Sequence, residues 1–246
     1  NLFSKKSELL LCMKNENSFR ISIYGGFDMR VFIVSPHPDD AEFGCGGLSM
    51  KCLKVQHEVT YLLNTKSNND EDLFYTDGRR NEGHTVKKKG IRVIEFACNG
   101  TTVALEDIIF QDKPDVILNV WSKDFNETHR LVSNFVDLAV ERVRLRQKRY
   151  DLPVLGYYET FSSIQFMPNI IFDVTEEYIE ALNLLKLHKQ GIEKLPVLPY
   201  SFQIRHQSRG LDGGVLYGEA ICFNSMNQYL WVNNVQMKQS FIDSII

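Results

Sequence analysis

The chain has 246 residues, 43% of them hydrophobic and 24% charged, an ordinary soluble globular composition with length enough for one large core. Its net charge of -3 gives no electrostatic case for a nucleic-acid partner. The five cysteines, Cys12, Cys45, Cys52, Cys98 and Cys222, lack CxxC spacing and so argue against a disulfide framework or thiolate zinc site and for a reducing, cytoplasmic setting, while no apolar run approaches the roughly 18 residues of a membrane span and none reads as a signal peptide.

Residues 1–28 precede the first strong strand signal and are read as an N-terminal extension without assigned order, followed by a single domain over 29–246. Arg30 to Ser35 is continuously apolar and β-branched at its centre, the pattern of a buried parallel strand. A helix is expected over Gly46 to Val55 and a second strand over Glu58 to Leu63. The polar loop Asn64 to Thr76 then leads to a charged helix over Arg79 to Lys89, ended by Gly90. Further strands are expected at Arg92 to Phe96, Val116 to Trp121 and Val154 to Tyr158. Between the last two, His129 to Gln147 is helical. Val132, Phe135, Val136, Ala139 and Val143 form its apolar face, and Arg142, Arg144, Lys148 and Arg149 lie mostly off it, as a solvated face rather than a nucleic-acid patch. Pro168 to Val174 and Val215 to Phe223 are the last strand candidates, with a helix opening near Thr175 to Tyr178 behind Asp173 or Thr175 as cap. Alternating strands and helices with short loops predict an α/β fold, a doubly wound, mostly parallel sheet.

The first strand stops at Pro36 and delivers His37, Asp39 and Asp40 onto the loop at its carboxyl end, where open α/β sheets bind ligands. His37 and Asp40 can share one divalent cation while Asp39 stays free. The mixed nitrogen and oxygen set suits zinc, with manganese, iron or cobalt as alternatives. His57 reads as a packing or capping residue, and His188 and His206 as surface or satisfied histidines. His84 can face either way. His129 begins the helix after the strand Val116 to Trp121, and loops following parallel strands share one rim, so topology brings it to His37 and Asp40 as a third ligand. Two histidines, one aspartate and an open position would hold a water and lower its pKa towards ~7, with Asp39 placed to take its proton. That is metal-assisted hydrolysis; the bond cleaved is left open.

His37-Pro38-Asp39-Asp40, followed by Glu42 and Gly46-Gly47, resembles the signature of the LmbE-like, or PIG-L, family of zinc-dependent N-deacetylases. Supporting matches follow in order over roughly Met29 to Phe223: His57-Glu-Val-Thr, then Arg79, Arg80 and Glu82 before Gly90, then His129-Arg130, then Arg209-Gly210 and Tyr217-Gly218-Glu219-Ala220. The resemblance implies a Rossmann-like fold and removal of an acetyl group from an N-acetyl sugar or glycoconjugate such as an N-acetylglucosamine derivative. It puts the zinc ligands on His37, Asp40 and His129, the base on Asp39, and sugar or phosphate contacts on Arg79 or Arg80; the alternative for the arginines is an exposed ion pair with Glu82.

The chain departs from the family's His-x-Asp-His motif, for Asn126 and Thr128 stand in place of the first histidine and the aspartate. The family assigns that histidine to the oxyanion or the leaving amine. Asn126 can still donate to the oxyanion, so it enters the expected catalytic set with Asp39, and His84 is the candidate to fill the gap. The second expectation is a metal-binding sugar-recognition protein with impaired turnover, and a weaker third is a nucleotide-sugar transferase. Glu42, Gly44, Gly46 and Gly47 are read as structural, turning the chain into the first helix. Phe161, Phe166 and Met167 are candidates for an acceptor groove or for core packing, and aromatic-rich loops leave room for a homo-oligomer contact.

Overall fold

A computed structural model describes residues 28–65, 77–98, 101–146, 153–223 and 233–245. The expected extension therefore lies outside the described residues apart from Asp28, as does most of the loop 64–76. Seven strands form one sheet: β1 (Arg30–Ser35), β2 (Glu58–Asn64), β3 (Arg92–Phe96), β4 (Val116–Val120), β5 (Val154–Tyr158), β6 (Ile170–Asp173) and β7 (Gly218–Phe223), in the order β3-β2-β1-β4-β5-β7-β6. The first five run parallel, and β7 pairs antiparallel with both β5 and β6. This is the expected α/β architecture.

Alternate residues of β1 face opposite layers, as the period of a strand requires. Val31 and Ile33 pack with Ala41, Leu48 and Cys52 of α1 (Asp40–Lys54) and with Phe241 and Ile245 of the C-terminal helix Asn233–Ile245. Phe32 and Val34 pack on the other face with Leu105 and Ile109 of α2 (Val103–Asp112) and with Val132, Val136, Ala139 and Val143 of α3 (Glu127–Arg146). The α3 stripe is the one its periodicity predicts. Its arginines pair with acids, Arg142 with the buried Glu106, Arg144 with Glu141 and Arg146 with Asp107, while Lys148 and Arg149 of the expected solvated face lie outside the described residues.

Several elements differ from expectation. The charged segment is two pieces, a short helix Asp77–Gly83 and a 3-10 turn Thr85–Lys89, and Gly90 at φ 89° ends only the second. The helix of Tyr178–Leu185 is preceded by Glu177 at its N-cap, with no side-chain cap bond; Asp173 instead accepts the backbone N–H of Thr175. Helices Val103–Asp112, Lys189–Lys194, Leu198–Gly213 and Asn233–Ile245 had no sequence counterpart. In Leu198–Gly213 the buried stripe is Leu198, Phe202, His206 and Gly210, at the spacing of an amphipathic helix but with a histidine and a glycine on its apolar side.

Helix α1 starts at Asp40 rather than Gly46, with one non-helical residue at Cys45. The glycines are therefore inside the helix, and close packing rather than a turn demands them. A Cβ on Gly44 would lie 2.1 Å from Tyr158 Cδ2, and one on Gly47 would lie 2.7 Å from Val174 Cβ. Backbone N–H groups of Gly47 and Leu48 donate to Glu219 Oε1 and Oε2, each at 2.7 Å. A dinucleotide phosphate would need those same donors, and Glu219 already occupies them.

Candidate metal centre

In this strand order the connections from β1 and β4 leave in opposite directions, which opens a crevice at the carboxyl ends of these two neighbours. The candidate residues gather there. After β1 the loop is fixed by short polar bonds: Ser35 Oγ donates to the His37 carbonyl at 2.6 Å, and the His37 N–H donates to Asp40 Oδ2 at 2.8 Å. His129 enters from the first turn of α3 after β4. Its Nε2 stands 3.0 Å from His37 Nδ1 and 3.1 Å from Asp40 Oδ2, and His37 Nδ1 is also 3.1 Å from Asp40 Oδ2.

Three ligands at about 2.0–2.1 Å from a tetrahedral ion stand roughly 3.3–3.4 Å apart. The observed triangle is smaller by a few tenths of an ångström, a misfit that small side-chain rotations remove. Among the described residues, this is the one group of histidine, cysteine and carboxylate side chains close enough to hold a metal ion. Its protonation is consistent with that use. Burial holds His37 below its ordinary pKa, against the pull of Asp40, which leaves a neutral imidazole. Burial also opposes charge on Asp40 and His129, but their mutual attraction outweighs it. Asp40 is held below the usual carboxylate range, and His129, with Asp124 on its far side, is lifted to about 10. The proton lodged between them is the one a bound cation would displace.

Asp39 takes no part in this triangle. It precedes α1 at φ 146°, a conformation a non-glycine residue rarely adopts, and its carboxylate turns to the guanidinium of Arg79. Burial pushes its pKa up to about 7 although Arg79 pulls the other way. Arg79 is itself fully buried and also donates to the Pro38 carbonyl at 3.0 Å. The structure thus sets Arg79 behind the acid, and Arg80 out on Glu95, not on Glu82 as the ion-pair alternative had it. His84 binds Glu95 as well, at 2.5 Å, and does not lean into the centre.

Asn126 lies ahead of α3, where its Oδ1 accepts the Thr128 N–H at 2.9 Å as a helix cap. His57 is a structural residue, bonded to Ser244 Oγ at 2.7 Å and to the Met29 N–H. His206 is buried and satisfied, by Glu219 at 3.0 Å and the Phe202 carbonyl at 2.8 Å, whereas His188 is buried with Nε2 on Glu42 at 2.9 Å and Nδ1 without a partner among the described residues. The sequence reading missed Asp124. Its buried carboxylate lies 3.1 Å from His129 Nδ1, on the opposite side of the ring from the triangle.

A cavity of about 350 Å³ is lined by Phe43, Phe161, Ser201, Ile204, Arg205 and Ser208; Phe161 follows Thr160, whose Oγ1 lies 3.2 Å from His129 Nδ1. Arg205 is tied to the buried Glu159 at 2.6 Å, and Arg209 forks onto the same carboxylate. Of the three candidate groove residues only Phe161 lines the cavity. Phe166 packs edge-on to Trp121, and Met167 is exposed.

Residues 32–140, which include His37, Asp39, Asp40, Asn126 and His129, match the family described as PIG-L, GlcNAc-PI de-N-acetylase. That match to the PIG-L (LmbE-like) domain takes in somewhat less than half of the chain. A protein of Escherichia coli K12 named as an uncharacterized deacetylase, YaiS, is 28% identical to this chain over 172 residues, covering 65% of this chain and 90% of that one. Two solved structures share the fold seen here. The N,N'-diacetylchitobiose deacetylase of Pyrococcus horikoshii superposes with a TM-score of 0.62 at 22% identity, over 82% of this chain and 85% of its own. A 4-carboxy-2-hydroxymuconate hydratase, GalB of Pseudomonas putida KT2440, superposes with a TM-score of 0.66 at 17% identity, over 79% and 95%. A hydratase and a deacetylase on one fold mean that the reaction has to be argued from the residues of the site. Among the described residues, no helix is long and apolar enough to cross a membrane.

Proposed function

We propose that this chain is a divalent-cation-dependent hydrolase, zinc being the first choice of ion, that removes the acetyl group from an N-acetylated sugar or glycoconjugate. The observation that carries the reading is the convergence of His37 Nδ1, Asp40 Oδ2 and His129 Nε2 within 3.0–3.1 Å of one another, with the unliganded acid Asp39 beside them. A mixed nitrogen and oxygen set with three protein ligands matches catalytic zinc sites, which keep a fourth position open. A cation held there supplies a Lewis acid that lowers the pKa of a water towards ~7.

The chain's own groups do the rest. Asp39 takes a proton from the attacking water as the water oxygen bonds to the acetyl carbon. It then returns that proton to the sugar nitrogen as the C–N bond breaks, giving acetate and a free amine. A carboxyl with pKa about 7 suits both halves of this transfer near neutral pH. The Nδ2 of Asn126 is the candidate donor to the oxyanion, its Oδ1 being committed to the helix cap. The cavity beside Phe161 and Ile204 takes the acceptor, and the domain over 29–246 works in the cytoplasm. Under the family's assignment Arg79 and Arg80 would touch substrate. The burial of Arg79 on Asp39 supports instead a role in setting the base.

The test is acetate release from a panel of N-acetylated sugars by the zinc-loaded protein and by Asp39→Ala. The parent is expected to release acetate, and the variant to keep its cation while losing activity by about 10²- to 10⁴-fold. A fully active Asp39→Ala would remove Asp39 as the base. The replacement of the family's histidine by Asn126 favours a second reading, a sugar-recognition protein with impaired turnover. Sugar binding without acetate release in the same panel would select it.

A further inference from the structure

Asp124 lies in the β4–α3 loop with 2% of its surface exposed, and both of its carboxylate oxygens are fully engaged. Oδ1 accepts the Asn126 N–H at 2.8 Å and Ser162 Oγ at 2.6 Å. Oδ2 accepts Thr160 Oγ1 at 2.7 Å and Ser163 Oγ at 3.0 Å, and stands 3.1 Å from His129 Nδ1. Arg130 holds the loop from outside, its Nη1 donating to the carbonyls of Asp124 and Phe125 at 2.6 and 2.8 Å. A bridge between Asp124 and Ser163 joins this loop to the one after β5. A carboxylate this buried and this heavily bonded costs a great deal to desolvate, and its placement on the outer nitrogen of one imidazole gives it a task.

We propose that Asp124 is the positioning residue for the metal ligand His129: it keeps the proton on Nδ1 so that Nε2 presents its lone pair to the cation, and it clamps residues 160–163 to that ligand. The inference rests on the reading of His129 as a ligand. Thr128 brings no carboxylate to this ring, and Asp124 is the carboxylate that stands on its outer nitrogen. The clamp has a second consequence. Phe161 of the acceptor cavity sits between Thr160 and Ser162, both bonded to Asp124, so the cavity wall and the metal ligand are held by one side chain.

Asp124→Asn tests the tautomer directly. The fixed N–H of Asn126 requires the amide oxygen at the Oδ1 place, so the amide NH2 must face His129 Nδ1. Facing that NH2, the ring nitrogen is favoured to accept, which moves its proton to Nε2 and blocks the ligating atom; Thr160 Oγ1, 3.2 Å from Nδ1, is the one other acceptor beside it among the described residues. Zinc affinity, measured by competition with a chromogenic chelator, is expected to fall roughly 10- to 100-fold. In the zinc-loaded parent the proton NMR spectrum should show a downfield Nδ1–H resonance that disappears in His129→Ala and is lost or shifted upfield in Asp124→Asn. If Asp124→Asn binds zinc as tightly as the parent and keeps the resonance, the inference is wrong. Should that variant not fold, Ser162→Ala with Ser163→Ala leaves the carboxylate but frees it to turn. A several-fold loss of affinity is then expected, and unchanged affinity contradicts the clamp. A parent that binds no cation at all would sink the functional reading itself, whereas equal binding by parent and variant sinks only this inference.

Discussion

Asp39 carries three unfavourable features at once: a φ of 146°, near-complete burial, and a charged neighbour it cannot leave. Strain of this kind persists where the surroundings over-determine it, and here they do so at the acid expected to move the proton. The Arg79 guanidinium favours the ionised carboxylate, and without it the pKa would rise above about 7. A base works only when ionised, so in Arg79→Gln the rising limb of activity with pH should move to higher pH by about one unit or more. An unmoved limb in kcat/KM profiles of parent and variant would exclude Arg79 from setting the base. At this scale the convergence of the candidate ligands was legible, because the His-Pro-Asp-Asp turn and the rim shared by β1 and β4 suffice to bring His37, Asp40 and His129 together. Asp124 and the inward turn of Arg79 were not legible. Each depends on a contact across the fold, from Asp124 to Thr160 and Ser162 and from Arg79 to Asp39, which no local spacing encodes.

At the scale of elements, α1 decides how accurately the site is built, since Asp40 opens it and Gly44 lets it press against Tyr158 of β5. Tyr158, against which Gly44 lies, donates from its hydroxyl to the Val34 carbonyl at 2.5 Å and so cannot swing aside cheaply. Overpacking of a closed contact costs about 1–3 kcal/mol, or roughly 2–12 °C in Tm for a chain of this size. Gly44→Ala should show such a loss in a thermal melt, and an unchanged Tm would mean that the contact is not tight. The buried parallel strands were legible from their β-branched runs, with β1, β3 and β5 falling where expected. The start of α1 was missed because Gly44, Gly46 and Gly47 carry the composition of a turn, and their need is set by Tyr158, Ala181 and Val174 on other elements. Helix Leu198–Gly213 was missed for a related reason: His206 and Gly210 lie on its buried side, where Glu219 satisfies the histidine.

At the scale of the molecule, the strand order does the work of assembly. Connections diverge between β1 and β4, two loops more than 80 residues apart in sequence meet at the carboxyl rim, and β7 returns Glu219 to the centre of α1. A cation bound at that junction ties β1, α1 and α3 together, so binding to the folded chain alone must stabilise it, by about 2.7 kcal/mol at a free concentration 100 times the dissociation constant. The central claim, that His37, Asp40 and His129 form one cation site, is tested most directly by equilibrium dialysis of the chelator-treated protein against zinc, for the parent and for His129→Ala. The account predicts one tightly bound equivalent per parent chain and its loss in His129→Ala. No bound zinc in the parent, or one equivalent retained by the variant with undiminished affinity, would contradict it.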